Sequence, residues 1–257
     1  MRYTEAPARR AEILRRLEET GYVSSGQLAA EFGVSEMTIR RDVRQLQLEG
    51  RARRVTGGAT LVGSIPFDER TRSGAREKRE IAAACAALLP PSGTVALDAG
   101  TTVAPLADLV GPGSTVVSHS APVISACTAR DDIELIGVGG VYQRDTRSFA
   151  GPGAASAFES LSVDVAVLSV TAVDAAGLMC ANMLDAEVKK RMAGSAETVI
   201  VLADHTKLAR RASIRIGPLA LADVLVTDAG ASPELLSAVR DTGVRVVIAD
   251  DEESVVV

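Results

Sequence analysis

The chain has 257 residues, 47% of them hydrophobic and 24% charged, which suits two unequal globular domains and argues against disorder. With no Trp, four Phe and three Tyr, the core must be built from Ala, Val, Leu and Ile, as in parallel α/β sheets. No apolar run reaches the roughly 18 residues that span a membrane, and MRYTEAPARR lacks a signal-peptide hydrophobic stretch, so a cytoplasmic protein without membrane partners is expected. Three isolated cysteines, Cys85, Cys127 and Cys180, show neither CxxC nor zinc-finger spacing. They fit a reducing compartment and imply no metal site.

The net charge of −5 is an average over two unlike parts. Residues 1–60 carry 11 Arg against 8 acidic residues, a charge of +3, whereas residues 61–257 carry −8. A basic end on an acidic chain points to an anionic partner at that end.

Residues 8–19 place Ile13, Leu14 and Leu17 at helical spacing, and Thr20-Gly21 can end that helix. Ser24-Ser25 offers an N-cap for a short helix carrying Leu28, Ala29 and Phe32, Gly33 permits a tight turn, and Ser35 can cap a third helix, SEMTIRRDVRQLQLEG. Two short helices around a Gly-containing turn form the helix-turn-helix pattern. At about 100° per residue, Ile39, Val43 and Leu46 face one way, and Met37, Thr38, Arg40, Arg41 and Arg44 fan over the other. Such a face suits phosphate and base-edge contact in a major groove. After Gly50, RARRVTGGATL reads as a β-ribbon with Arg51, Arg53 and Arg54 before a Gly-Gly turn, the wing of a winged helix-turn-helix. A solvated, salt-bridged helix face is the competing reading, because Glu36, Asp42 and Glu49 lie nearby. Turn, inward stripe and basic ribbon agree on DNA, with Ser35, Met37, Thr38, Arg40, Arg41, Arg44, Arg53 and Arg54 as its contacts.

Gly21-Tyr22-Val23, Leu28-Ala29, Phe32-Gly33-Val34-Ser35, Thr38-Ile39-Arg40-Arg41-Asp42 and Gly57-Gly58-Ala59 resemble the DeoR family of bacterial transcriptional regulators. The family usually has His before its Gly-Gly-Ala; this chain has Thr56, so the resemblance leaves operator sequence open.

Residues 61–77, polar and aperiodic, are expected to link the DNA-binding domain (1–60) to a second domain (78–257). Phe67 is expected to anchor this segment against a domain. Beyond it, aliphatic runs of strand length alternate with helical segments. Strands are predicted at Thr94–Asp98, Thr115–Ser118, Ile133–Val138, Val163–Val170, Val199–Asp204, Val224–Asp228 and Val244–Asp250. Helices are predicted at Lys78–Leu89, Val103–Val110, Pro122–Arg130, Ala186–Ala193 and Pro233–Thr242. The fold class is therefore α/β, a winged helix-turn-helix plus a doubly wound, mostly parallel sheet.

Ligands bind outside the carboxyl ends of strands in such sheets, and polar residues follow these strands: Asp98 to Thr102, His119-Ser120, Gly139-Gly140, Thr171 with Asp174, and Thr206-Lys207. Gly100 permits close backbone approach, Thr101 and Thr102 offer hydroxyls, and a helix starting near Val103 would present free N–H groups to a phosphate. Lys78, Arg144, Lys189 and Lys207 supply positive charge.

The family resemblance extends over Asp98-x-Gly100-Thr101-Thr102, Gly139-Gly140, Gly151, Asp174-x-x-Gly177, Asp185-Ala186-Glu187-Val188-Lys189 and Leu202-Ala203-Asp204-x-x-Lys207. It implies a sensor domain folded like ribose-5-phosphate isomerase and the coenzyme A transferases, binding a phosphorylated sugar or similar metabolite. By that resemblance Gly100, Thr101 and Thr102 hold the phosphate with Lys189 as charge partner, and Asp98, Asp174 and Glu187 accept hydrogen bonds from sugar hydroxyls. His119-Ser120 replaces the family's common Asn-Ser, which leaves His119 either an effector contact or a satisfied histidine at the sheet edge.

The expected function is a DNA-binding repressor, at least dimeric on a two-fold operator, with no cofactor and no enzymatic activity. The alternative is a sugar-phosphate isomerase fused to a DNA reader, with Asp98, Asp174 and Glu187 beside a lysine moving protons. Cys85 and Cys127 are expected as buried small hydrophobes, Cys180 in a loop over 177–182, and His205 as a loop residue.

Overall fold

The computed structural model describes residues 6–20, 22–49, 51–55, 57–61, 67–174, 177–208, 212 and 214–249. Gly21, Gly50, Thr56 and Asp250, which figure in the expectations above, lie outside them. The chain forms two compact units, 1–69 and 70–257.

The first unit contains α1 (Ala6–Thr20), β1 (Tyr22–Ser24), α2 (Ser25–Phe32), α3 (Glu36–Leu48), β2 (Ala52–Val55) and β3 (Gly58–Leu61). Ser24 caps α2 by accepting from the Gln27 amide. Gly33 ends α2 at φ 62°, a left-handed conformation that glycine adopts without strain. Ser35 starts α3 by accepting from the Thr38 amide at 3.2 Å. The predicted inward stripes meet in one core: Ile13, Leu14 and Leu17 of α1, Leu28 and Ala29 of α2, and Ile39, Val43 and Leu46 of α3. The strands form an antiparallel sheet ordered β1-β3-β2, with Arg53 opposite Thr60 and Arg54 opposite Ala59. Asp42 is no part of a surface salt-bridge lattice. It is buried and pairs with the Arg9 Nε at 2.5 Å, tying α3 to α1.

The stretch expected as a linker over 61–77 holds α4 (Phe67–Arg72) and the start of α5 (Ala75–Ala86), with Phe67 buried. Asp68 and Glu69 in the first turn of α4, and Arg70 and Arg72 in its last, match the helix dipole. A six-residue helix is too short to show periodicity.

The second unit continues with β4 (Thr94–Leu97), β5 (Thr115–Ser118), α6 (Ala121–Cys127), β6 (Glu134–Gly137), β7 (Val141–Gln143), β8 (Ser148–Ala150), α7 (Pro152–Glu159), β9 (Val163–Ser169), β10 (Ala172–Asp174), β11 (Gly177–Cys180), α8 (Met183–Gly194), β12 (Ala196–Leu202), β13 (Ile214–Gly217), β14 (Val224–Asp228), α9 (Pro233–Arg240) and β15 (Arg245–Ala249). Seven strands make one parallel sheet in the order β15-β14-β12-β9-β4-β5-β6. These are the seven predicted runs. Alternate residues divide between two faces. Val95, Leu97, Val165, Val167, Ile200 and Leu202 pack with α5 and α6. Ala96, Ala166, Leu168, Val199 and Val201 pack with α7, α8 and α9. The sheet is doubly wound. Two small antiparallel additions, β7-β8 and β10-β11-β13, and the helix α7 were not anticipated. Cys180 belongs to β11, buried, rather than to a loop.

Removing one partner of a buried ion pair strands the other charge. Asp42→Ala is therefore expected to destabilise the first unit by about 3 kcal/mol, read as faster hydrogen exchange of the α1 and α3 amides while the sheet amides of the second unit stay protected.

Candidate functional site

On the first unit, α3 turns its core residues inward and leaves Met37, Arg40, Arg41 and Arg44 exposed. Ser35 and Thr38 spend their hydroxyls partly on each other, 3.0 Å apart, at the start of the helix. Arg40 Nη2 pairs with Glu36 Oε2 at 3.1 Å, an exposed contact that water screens. Among the described residues, Arg41 and Arg44 have no ion-pair partner. Arg53 and Arg54 are exposed on β2 of the ribbon. Helix face and ribbon thus present a contiguous set of guanidinium groups in the layout of a winged helix-turn-helix.

In the second unit, strand order reverses between β4 and β9: β5 and β6 extend to one side, and β12, β14 and β15 to the other. Outside the carboxyl ends of these two strands is the switch point of an α/β sheet. Asp98 follows β4 there and is fully buried. Its Oδ2 accepts from the Ser169 amide at 2.7 Å and from Lys189 Nζ, and its Oδ1 lies 3.0 Å from His119 Nε2. Burial alone would raise the Asp98 carboxyl, but Lys189 and His119 outweigh it and hold it below the ordinary carboxylate range. Lys189 is likewise buried. Burial opposes its charge, and Asp185, at 3.4 Å, together with Asp98 overcomes that and raises the ammonium above its ordinary value. His119 Nδ1 is 2.8 Å from the Phe149 carbonyl, and its ring meets Phe158 edge to face. Asp98, Lys189 and His119 are therefore brought together, but as a buried network that uses their polar atoms on one another. His119 is the satisfied histidine, and Ser120 caps α6.

Gly100 owes its identity to packing: a Cβ there would lie 2.1 Å from Ser169 Oγ. The helix expected from Val103 is a five-residue 3-10 turn, Ala104–Asp108. So short a turn lacks the aligned peptide dipoles that make a long helix end an anion site. Positive side chains lie beside this turn. Lys207 Nζ donates to Thr102 Oγ1 at 2.7 Å and lies 3.4 Å from Asp204 Oδ2. Burial pushes Asp204 up, but Lys207 and the Thr206 hydroxyl pull its carboxyl down to about 2. Lys78 Nζ donates to the Arg70 carbonyl and, at 2.6 Å, to that of Ser73. Its ammonium is pushed down to about 8, first by burial and then by the nearby Lys207, with Arg70 adding repulsion. Arg70 Nη2 reaches the Asp145 carbonyl at 2.7 Å.

Two ammonium groups, Lys78 and Lys207, thus lie about Asp204, with Lys207 also on Thr102 and the Arg70 guanidinium near enough to Lys78 to repel it. An anion relieves that repulsion. Arg70, Asp185, Asp204 and Ser169 escaped the sequence-based site. Asp204, at the end of an aliphatic strand, carried a usable signal; Ser169 carried none. Of the other expected contacts, Gly139, Gly140 and Arg144 are exposed beside β6 and β7. Asp174 ends β10 opposite Gly177. Glu187 pairs with Arg191 on the exposed side of α8 at 3.1 Å. His205 Nδ1 is 2.6 Å from Asp228 Oδ2. The described residues that could group as metal ligands are Asp98, His119 and Asp185, where the Lys189 ammonium already supplies the positive charge.

Residues 9–64 match the DeoR-like helix-turn-helix domain and residues 73–229 match the DeoR C terminal sensor domain. The chain is 30% identical over 250 residues to the HTH-type transcriptional repressor CsqR of Escherichia coli K12, covering 95% of this chain and 96% of that one. It is 26% identical over 235 residues to the glycerol-3-phosphate regulon repressor of the same strain, covering 89% and 93%. A solved ribose 5-phosphate isomerase A from Methanocaldococcus jannaschii overlays 53% of this chain and 56% of its own at 16% identity, with a TM-score of 0.38. That likeness is too slight to bear on activity. Among the described residues no helix is long and apolar enough to cross a membrane.

The two lysines separate by role. Lys189→Ala leaves Asp98 and Asp185 buried without their cation and is expected to cost about 3–5 kcal/mol. Lys207→Ala, at the partly accessible cluster, is expected to cost about 1 kcal/mol. Denaturant midpoints of the full chain, followed at the second unit, check both.

Proposed function

Because the chain belongs to the DeoR family of transcriptional regulators, we propose that its DNA-reading unit is controlled by a phosphorylated small metabolite, a sugar phosphate or a close relative, held at the Thr101-Thr102 turn by Lys207, Lys78 and Arg70. DNA binding and transcriptional repression are the shared property of the repressors it resembles. The observation that carries the effector class is the desolvated ammonium of Lys78 beside a second ammonium, Lys207, which itself rests on Thr102. A dianionic phosphate placed there neutralises two like charges at once. Arg70 and Lys78 also lie in the stretch of chain that follows directly on the reader unit, so an effector engaging them touches the segment through which the two units are joined.

An effector shifts operator affinity only through unequal binding to the DNA-competent and DNA-incompetent states. A 5- to 150-fold change needs about 1–3 kcal/mol of coupling, within reach of one phosphate on two lysines. Recognition of a two-fold operator requires at least two chains, and we assign the protein as a homo-oligomer working without a cofactor. The same geometry favours binding over catalysis. Of the carboxylates that an isomerase would use as bases, Asp98 has both oxygens engaged in a closed network, and Glu187 is an exposed partner of Arg191. Isomerisation of ribose 5-phosphate by the full chain would overturn this.

The test is titration of phosphorylated sugars against the full chain bound to duplex DNA enriched by that chain from a random pool. At least one is expected to change affinity fivefold or more, and Lys207→Ala is expected to abolish the response. Protonated Lys78 favours phosphate, and its free-state value is about 8. Effector affinity is therefore expected to hold at pH 7 and to fall as pH rises through 8, with Lys78→Gln flattening that dependence. No response to any phosphorylated sugar sinks the effector assignment.

A further inference from the structure

The solvent face of α3 carries a feature that charge alone leaves unexplained. At about 100° per residue, Met37, Arg41, Arg44 and Leu48 fall within one narrow stripe, directly opposite the buried Ile39, Val43 and Leu46. Two guanidinium groups with no ion-pair partner among the described residues occupy the middle of the stripe, and an apolar residue stands at each end, Met37 58% and Leu48 74% exposed. Arg40, at the edge, is partly neutralised by Glu36. Met37 is the second residue of the helix, where an acidic or small polar side chain would favour the dipole and water. A methionine there forfeits both and gains no packing. Folding therefore supplies no reason for it.

Recognition supplies one. In a helix-turn-helix the first residues of the second helix reach base edges, while arginines further along can reach phosphates or guanines. The apolar group that a base pair shows in the major groove is the 5-methyl of thymine. A methionine is long, unbranched and polarisable, so its terminal methyl can settle on such a group without a fixed hydrogen-bond geometry.

We propose that Met37 is a specificity-determining residue that reads a thymine 5-methyl in each operator half-site, with Arg41 and Arg44 anchoring the helix further along the same stripe. Family membership implies DNA binding; the base class and the residue that reads it come from the exposed stripe. The apolar tip contributes sequence discrimination, and the guanidinium groups contribute affinity that salt screens.

The experiment replaces each thymine, one at a time, by deoxyuridine in a duplex enriched by the full chain from a random pool. Uracil pairs as thymine does and lacks only the methyl. For the wild-type chain, one position per half-site is expected to weaken binding about three- to fivefold. Met37→Ala is expected to bind the thymine duplex weaker by a similar factor and to show no further loss on uracil at that position. Met37→Leu, which keeps an apolar tip, is expected to retain the penalty, as is Leu48→Ala. Helical circular dichroism equal to that of the wild type shows that the variants fold. The proposal is overturned if no thymine position carries a methyl penalty, if Met37→Ala keeps the same penalty as the wild type, or if Leu48→Ala removes it.

Discussion

The Asp98 carboxylate is the point on which the second unit depends. A carboxylate removed from water is costly unless charge and hydrogen bonds replace the solvent. Here three elements far apart in sequence do so: Lys189 from α8, the Ser169 amide at the end of β9, and His119 at the end of β5. Their convergence pins β4, β5, β9 and α8 around the point where strand order reverses. Gly100 is pressed against Ser169 by the same arrangement, so the backbone leading to Thr101 and Thr102 has little room to move. One buried acceptor, Asp185 Oδ1, has no hydrogen-bond partner among the described residues. Its attraction to Lys189 comes through the other oxygen.

Two groups of charges thus stand at one end of the sheet, and they differ in burial and in partners. The deep group is closed upon itself and sets the geometry. The shallower group of Arg70, Lys78 and Lys207 holds like charges close together, a state that an anion relieves. Burial and the nearby Lys207 disfavour the charge of Lys78. A sensor needs both parts: a rigid frame, and a cluster whose energy changes when a ligand binds.

Charge is also divided along the chain. The first unit presents guanidinium groups, and the second carries the acidic excess. Like charge disfavours contact between an acidic surface and a polyanion. Within that unit, the buried Arg9–Asp42 pair removes one carboxylate from the vicinity of the recognition face. Arg41 and Arg44 are left as the cations of that face, next to an apolar residue with no structural duty.

The fold was largely legible in the chain because parallel strands buried on both faces read as unbroken aliphatic runs, and all seven lie in the sheet. Helix α7, PGAASAFE, was not, because small residues such as Ala154 and Ala155 carry little periodic contrast. The three-residue strands β7, β8 and β10 were too short to signal themselves. The recognition helix was predicted with its inward stripe, because helical phase follows from spacing alone.

At the site, sequence determined which chemical groups stand at the carboxyl ends of the strands, since strand length and residue order place Asp98, His119 and Asp204 there. Tertiary structure decided their duties. Whether a polar group at a strand end faces a ligand or the interior depends on partners dozens of residues away. Asp98 finds Lys189 at a separation of 91 residues, and Lys207 finds Thr102 at 105. Only the packed chain brings such groups within hydrogen-bonding reach, and that proximity makes Lys189 a buried counter-ion and sets Lys207 between Thr102 and Asp204.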